Sequence, residues 1–284
     1  MNTKVCIIGL GLIGGSLGMA IRQKGLAKVI GLTRDSSKIG TALGKEAIDF
    51  GTVDPREAVK DADIIFICYP IHLIIPELKK IMKFAKPGAI ITDVGSTKEE
   101  IVSKAEKLIP QHVFFIGGHP MAGKEQTGLC EAETELFKGR NYILTRTKQT
   151  NSMKLTELQE FLQELGTNVI ILDPKTHDQA VAGISHALIA VTAAVVNTVG
   201  NSGKFKKLMT ELAASGFRDT TRIASGDPML AMGMFETNRK SVLDSLKKIK
   251  TSINKMENFL KKGNFPAIKK ELIKAKKLRD SLYS

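Results

Sequence analysis

The sequence is poor in cysteine, and the three it has, Cys6, Cys68 and Cys130, form neither an even set nor a C-x-x-C pair. That excludes a disulfide framework and gives no metal-binding pattern; Cys6 and Cys68 sit in apolar runs, as buried thiols of a reducing compartment do. No apolar stretch approaches the roughly 18 residues of a membrane span, and the nearest, residues 187–196, is too short. The order of a signal peptide is missing as well, because Met1-Asn2-Thr3-Lys4 leads straight into a strand-like segment. Internal repeats, low-complexity tracts and Pro/Ser linkers are also missing. These absences predict a cytoplasmic protein with no membrane partner and no metal.

Acidic residues are in deficit, with 29 Asp and Glu against 42 Lys and Arg and a net charge of +13 over 284 residues. Such a charge ordinarily points to a polyanion. Its distribution does not: between Arg239 and Arg279 there are 14 basic and 3 acidic residues, so +11 of the charge lies in the tail. The tail aromatics Phe259, Phe265 and Tyr283 are not interleaved as a base-stacking platform requires. Its lysines flank an apolar seam, as on a solvated helix face. Nucleic acid is therefore not an expected partner. The 43% hydrophobic and 25% charged residues are those of a folded globular chain.

Short apolar runs at 4–8, 29–32, 64–68, 89–93, 113–117, 142–145 and 168–172 alternate with helix-length amphipathic segments. This pattern predicts an α/β fold, a doubly wound parallel sheet of Rossmann type covered by helices on both faces. After Asp173-Pro174 only helical patterns follow: about 175–199, 204–215, 228–260 and a last one after Pro266. The predicted division is a dinucleotide-binding domain over 1–173 and a helical substrate-binding and dimerisation domain over 174–284. In the 228–260 helix, Val242, Leu246, Ile249, Ile253, Met256 and Leu260 keep one seam toward a neighbouring helix, within the chain or across a homodimer.

Gly9-Leu10-Gly11-Leu12-Ile13-Gly14 directly follows the first strand and opens a helix. In that context a G-x-G-x-x-G segment allows a tight turn, close approach of a pyrophosphate and phosphate contact with free helix N–H groups, so a nicotinamide dinucleotide is expected. Where an acidic residue usually accepts from the adenosine ribose, the second strand ends in Thr33-Arg34-Asp35. Arg34 beside a 2′-phosphate favours NADP over NAD, whereas a one-residue shift brings Asp35 to the ribose and favours NAD. Pro70, just after the third apolar run, belongs to the same expected cofactor surface.

Gly117-Gly118-His119-Pro120-Met121-Ala122-Gly123 follows a strand and brings His119 to the ligand-binding edge of the sheet, as a loop residue able to take a hydroxyl proton. Asp93-Val94-Gly95-Ser96-Thr97-Lys98 brings Ser96 to the same edge, either as a helix N-cap or as a ligand contact. Farther on come His177-Asp178-Gln179-Ala180, Ser185-His186 and Ser215-Gly216-Phe217-Arg218-Asp219-Thr220-Thr221-Arg222. Arg218 and Arg222 can form one side of an anion pocket, or pair with Asp219.

Together these segments resemble the prephenate and arogenate dehydrogenase family of tyrosine biosynthesis, over nearly the whole chain and in family order. The His-Pro-Met-Ala-Gly and Phe-Arg-Asp-Thr elements carry the resemblance more specifically than the glycines. It is closest to short, monofunctional members, without a chorismate mutase segment before or a regulatory domain after. The resemblance implies oxidative decarboxylation of arogenate or prephenate with NADP or NAD. It implies His119 as the base on the ring C4 hydroxyl and Ser96 as the group orienting that hydroxyl and the nicotinamide. Arg222 would bind a carboxylate, with His186 and His177 lining the pocket. Some members carry a second histidine three residues after the Ser-His pair; Ile189 stands there instead, which leans the expectation to arogenate. A β-hydroxyacid dehydrogenase would need a lysine four residues after the glycine of its interdomain helix, where counting from Gly183 gives Ala187.

Overall fold

The computed structural model describes residues 3–124 and 126–283; Met1 and Asn2 of the N-terminal reading lie outside them. The strands are β1 (Lys4–Ile8), β2 (Lys28–Leu32), β3 (Phe50–Thr52), β4 (Ile64–Ile67), β5 (Ile90–Asp93), β6 (Phe114–Ile116), β7 (Gly118–Pro120), β8 (Asn141–Thr145) and β9 (Asn168–Leu172). The helices among them are α1 (Leu12–Gln23), α2 (Ser37–Gly44), α3 (Pro55–Val59), α4 (Ile71–Ile81), α5 (Glu99–Glu106) and α6 (Ser152–Glu164). After β9 the described chain is helical: α7 (Pro174–Val181), a π turn (Ala182–His186), α8 (Ala187–Gly200), α9 (Lys206–Glu211), α10 (Ser215–Thr221), α11 (Pro228–Thr237), α12 (Arg239–Lys261) and α13 (Phe265–Tyr283).

β1 to β6 form one parallel sheet in the order β3-β2-β1-β4-β5-β6. Alternate residues of β1 enter opposite cores: Val5 and Ile7 join one apolar cluster, Cys6 and Ile8 the other. Both faces are thus covered, which explains why the strands read as unbroken apolar runs. Strand order reverses between β1 and β4, opening a crevice at their carboxyl ends.

The runs at 142–145 and 168–172 do not extend this sheet. They are β8 and β9 of a separate sheet, β7-β8-β9, in which β7 is antiparallel to β8. His119 is consequently a strand residue paired with Ile143, and not a loop residue. β3 and β7 are three-residue strands whose Gly and Pro content reads locally as turn; their pairing partners make them strands.

Three helical expectations are corrected. The segment at 228–260 breaks at Asn238 into α11 and α12. Its seam is buried only at the start of α12, where Val242 is 4% exposed, while Ile253 and Leu260 lie open. The Phe217-Arg218-Asp219-Thr220 element, which falls outside the expected helices at 204–215 and 228–260, lies within helix α10. The helix Pro174–Gly200 has 27 residues and contains an 18-residue window with a mean hydropathy of 1.8, long and apolar enough to cross a membrane, so the expectation that no such segment exists fails. Its first turns instead bury His177 and Asp178 against the sheet domain.

Candidate active site

The glycine segment forms the crevice wall. Gly9 has φ +96°, and a Cβ there would stand 2.7 Å from the Cys68 carbonyl oxygen. A Cβ on Gly14 would collide with the Gly9 carbonyl, holding α1 tight against β1. At Gly11 a Cβ meets nothing within 4 Å, and Gly11 caps α1 without a side-chain bond. An open space above Gly11, facing uncapped N–H groups, fits a pyrophosphate. Leu12 and Ile13 anchor the turn on the core beneath. Pro70 sits across the crevice at the start of α4.

The end of β2 is arranged around a cation. Thr33 is buried, and its hydroxyl bonds within the turn to Asp35. The Asp35 carboxylate accepts from the Ser37 amide at 3.0 Å and the Ser37 hydroxyl at 2.6 Å, bonds that hold its pKa below the usual carboxylate value. Arg34 lies 4.8 Å over the Tyr69 ring and donates to buried Glu77 at 3.0 Å, a bond that raises its pKa.

His119, half-buried on β7, meets Nε2 of His177 with its Nδ1 at 2.8 Å. His177 is 1% exposed, and its Nδ1 lies 2.7 Å from Oδ1 of Asp178. Asp178 also accepts from the main-chain N–H groups of Lys98 (2.7 Å) and Glu99 (2.9 Å), so it caps α5 in place of Ser96. A carboxylate fed by two N–H donors only accepts, so His177 carries its proton on Nδ1 and offers a lone pair from Nε2. His119 then carries its proton on Nδ1, leaving the lone pair of its own Nε2 for a ligand. Burial, reinforced by His177, Lys98 and His186, pushes the His119 pKa well below the ordinary histidine value, so the ring is neutral at pH 7.

Behind this chain lies a dry ion pair. Lys98 and Asp93 are both fully buried and bonded to each other. Lys98 Nζ also donates to the Gly118 carbonyl at 2.7 Å, while Asp93 accepts from the Gly95 and Gly118 N–H groups. The pair ties the Ser96 turn to the strand bearing His119. Burial lowers the Lys98 pKa and the two carboxylates oppose that shift.

His177 was expected to line the substrate pocket; it is buried behind His119 with both ring nitrogens engaged. Arg218 is not gathered into this cluster either, since its 77% exposed side chain bonds to Asp219. Arg222 closes α10, which packs on α8 beyond His186. Asp93, Lys98 and Asp178 lie within the sequence motifs, which indicate no role for them, and sequence reasoning missed Asn238 altogether. The available signal was a polar Thr237-Asn238 pair interrupting a long helical run.

The family model for the nucleotide-binding domain of prephenate dehydrogenase matches residues 17–171, and that for its dimerization domain matches 173–274. Prephenate dehydrogenase of Lactococcus lactis is 34% identical over 98% of this chain and 77% of its own. The crystal structure of Synechocystis arogenate dehydrogenase superimposes with a TM-score of 0.86 at 36% identity, covering 98% of this chain and 99% of that one. Prephenate dehydrogenase of Aquifex aeolicus, solved with hydroxyphenyl propionate and NAD+, gives 0.92 at 26% identity and 99% coverage of both chains. The chain belongs to the prephenate dehydrogenase family of NAD(P)-dependent oxidoreductases.

Proposed function

We propose that the protein oxidatively decarboxylates arogenate, with prephenate the poorer substrate, and that it uses NADP in preference to NAD. The observation that carries the reading is the hydrogen-bonded chain Asp178–His177–His119, which leaves an unprotonated imidazole nitrogen at the carboxyl edge of the sheet. The bound nicotinamide supplies the hydride acceptor for the ring carbon that bears the hydroxyl.

His119 Nε2 takes the hydroxyl proton as that carbon becomes a ketone, and Nδ1 shares the resulting positive charge with His177 and Asp178. The ring carboxylate then leaves as carbon dioxide, its bonding electrons completing the aromatic ring. His119 returns its proton to the phenolate oxygen, so no net proton is consumed. Ser96, on the turn tied to the His119 strand, orients the hydroxyl and the nicotinamide. Arg222 binds a carboxylate of the substrate, and His186 borders the same pocket.

The preference for NADP is supported by the exposed guanidinium of Arg34 on Tyr69 and by the commitment of Asp35 to Ser37. The preference for arogenate is supported by Ile189, which sets an apolar, half-buried side chain where a second histidine would add a donor. Residues 1–173 hold the cofactor, and 174–284 bind substrate and pair two copies into a cytoplasmic homodimer. The open apolar residues Ile184, Val195 and Val196 of the long helix support that pairing. Steady-state kcat/KM for prephenate and arogenate, each with NAD and NADP, tests the reading. The arogenate and NADP pair is expected to lead, and turnover of neither substrate would overturn it.

A further inference from the structure

Between α11 and α12 the backbone leaves the helix at Asn238, with φ −124° and ψ 29°. An asparagine at such a break commonly caps the helix that follows, yet this one makes no side-chain cap bond to α12. Its side chain is 4% exposed and turns toward the catalytic cluster. Nδ2 donates to the Asp178 main-chain carbonyl at 2.7 Å and lies 3.2 Å from Nδ1 of His186.

These two contacts determine each other's chemistry. A main-chain carbonyl only accepts, so the amide end facing Asp178 is the nitrogen. That nitrogen has no lone pair for a histidine N–H, so Nδ1 of His186 is the acceptor. A neutral imidazole that accepts at Nδ1 carries its hydrogen on Nε2. Burial brings the His186 pKa down to about 4, so the ring is neutral near pH 7. Nε2 itself is buried and has no partner at hydrogen-bond geometry among the described residues; the Ser96 main chain interacts with the ring only weakly, raising its pKa against the larger effect of burial. A buried donor left unmade is costly, and an acceptor oxygen of a ligand would satisfy it.

We infer that Asn238 is a positioning residue that locks His186 as a neutral Nε2–H donor for an acceptor oxygen of the substrate, a hydroxyl, ketone or carboxylate oxygen. Asp178 thereby sets two tautomers: its carboxylate that of His177, and its carbonyl, through Asn238, that of His186. The inference rests on the proposed function for the statement that substrate lies against His186; the tautomer lock itself does not depend on it.

The test uses the full-length protein labelled with 15N-histidine, with and without NADP. In wild type the His186 imidazole shifts should report Nε2 protonated and Nδ1 bare at pH 7. Asn238→Leu, which keeps the bulk and removes the donor, should give a mixture of tautomers. Asn238→Asp should move the proton to Nδ1 and raise the His186 titration midpoint. In kinetics, Asn238→Leu should raise the substrate KM about tenfold with the NADP KM within about twofold, a loss comparable to one hydrogen bond. In a His186→Ala background the same change should add nothing, because Asn238 acts through His186. Persistence of the Nε2–H tautomer in both variants, or an equal loss in the His186→Ala background, would overturn the inference. A tautomer change as expected with an unaltered substrate KM would uphold the lock and contradict the placement of substrate in the proposed function.

Discussion

His177 stands directly behind His119, Nε2 to Nδ1 at 2.8 Å, and so decides which nitrogen of His119 faces a ligand. Asp178→Asn should disturb both rings, since an amide in place of the carboxylate no longer requires a proton on Nδ1 of His177. A fall in kcat of about 10²–10⁴ with near-normal NADP affinity is expected, on the scale of a misoriented general base. Steady-state kinetics with a separate cofactor titration checks it.

The acid limb of the rate profile follows from the same geometry. His119 faces His177, Lys98 and His186, with Asp178 behind the first and Asp93 paired to the second. A base works when unprotonated, so kcat/KM should be level near neutrality and fall only below the ordinary histidine value of about 6.5. Exchanging Lys98 for methionine removes a cation near the ring, and the acid limb should move to higher pH.

That same change tests the buried ion pair. Removing one partner of a dry pair leaves an uncompensated charge and commonly costs about 3–5 kcal/mol. Lys98→Met should lose that much in denaturant unfolding, and the Lys98→Met, Asp93→Asn double variant should recover part of it.

His186 makes stability depend on pH. Its folded-state pKa of about 4 lies below the 6.5 of the ordinary side chain, so between those values the unfolded chain binds more protons. Its share of stability is complete above about pH 6.5 and is lost progressively as pH falls toward 4, by at most roughly 3 kcal/mol. Unfolding midpoints from pH 7.5 to 4.5 should fall less steeply in His186→Gln.

Two glycines of one motif should part company. Gly11→Ala should fold as wild type and bind NADP at least about tenfold more weakly, because its methyl group enters the space that fits the pyrophosphate. Gly14→Ala should fail to fold normally, since its methyl group meets the Gly9 carbonyl. Thermal melts with and without NADP separate the two outcomes.

β1, β2, β4 and β5 were legible because burial on both faces demands unbroken apolar runs, and the glycine fingerprint was legible because its backbone requirements are local. β7 was not, because Gly118-His119-Pro120 becomes a strand only through its ladder with β8. His119, Ser96 and His186 were legible as chemistry-bearing types in a recognisable order. The arrangement behind them was not: Asp178, Lys98 and Asn238 act through contacts 20 to 80 residues away in sequence, which no local periodicity encodes. His177 illustrates the difference, since its position in the motif suggested a pocket wall and its neighbours make it a support for His119.

The central claim is that His119 is the base of a hydride-transfer reaction, and single-turnover NADPH formation from arogenate tests it most directly. Wild type should form NADPH, tyrosine and carbon dioxide in equal amounts. His119→Asn should slow that step by about 10³-fold or more with NADP affinity unchanged. NADPH formation in His119→Asn at the wild-type rate would contradict the account.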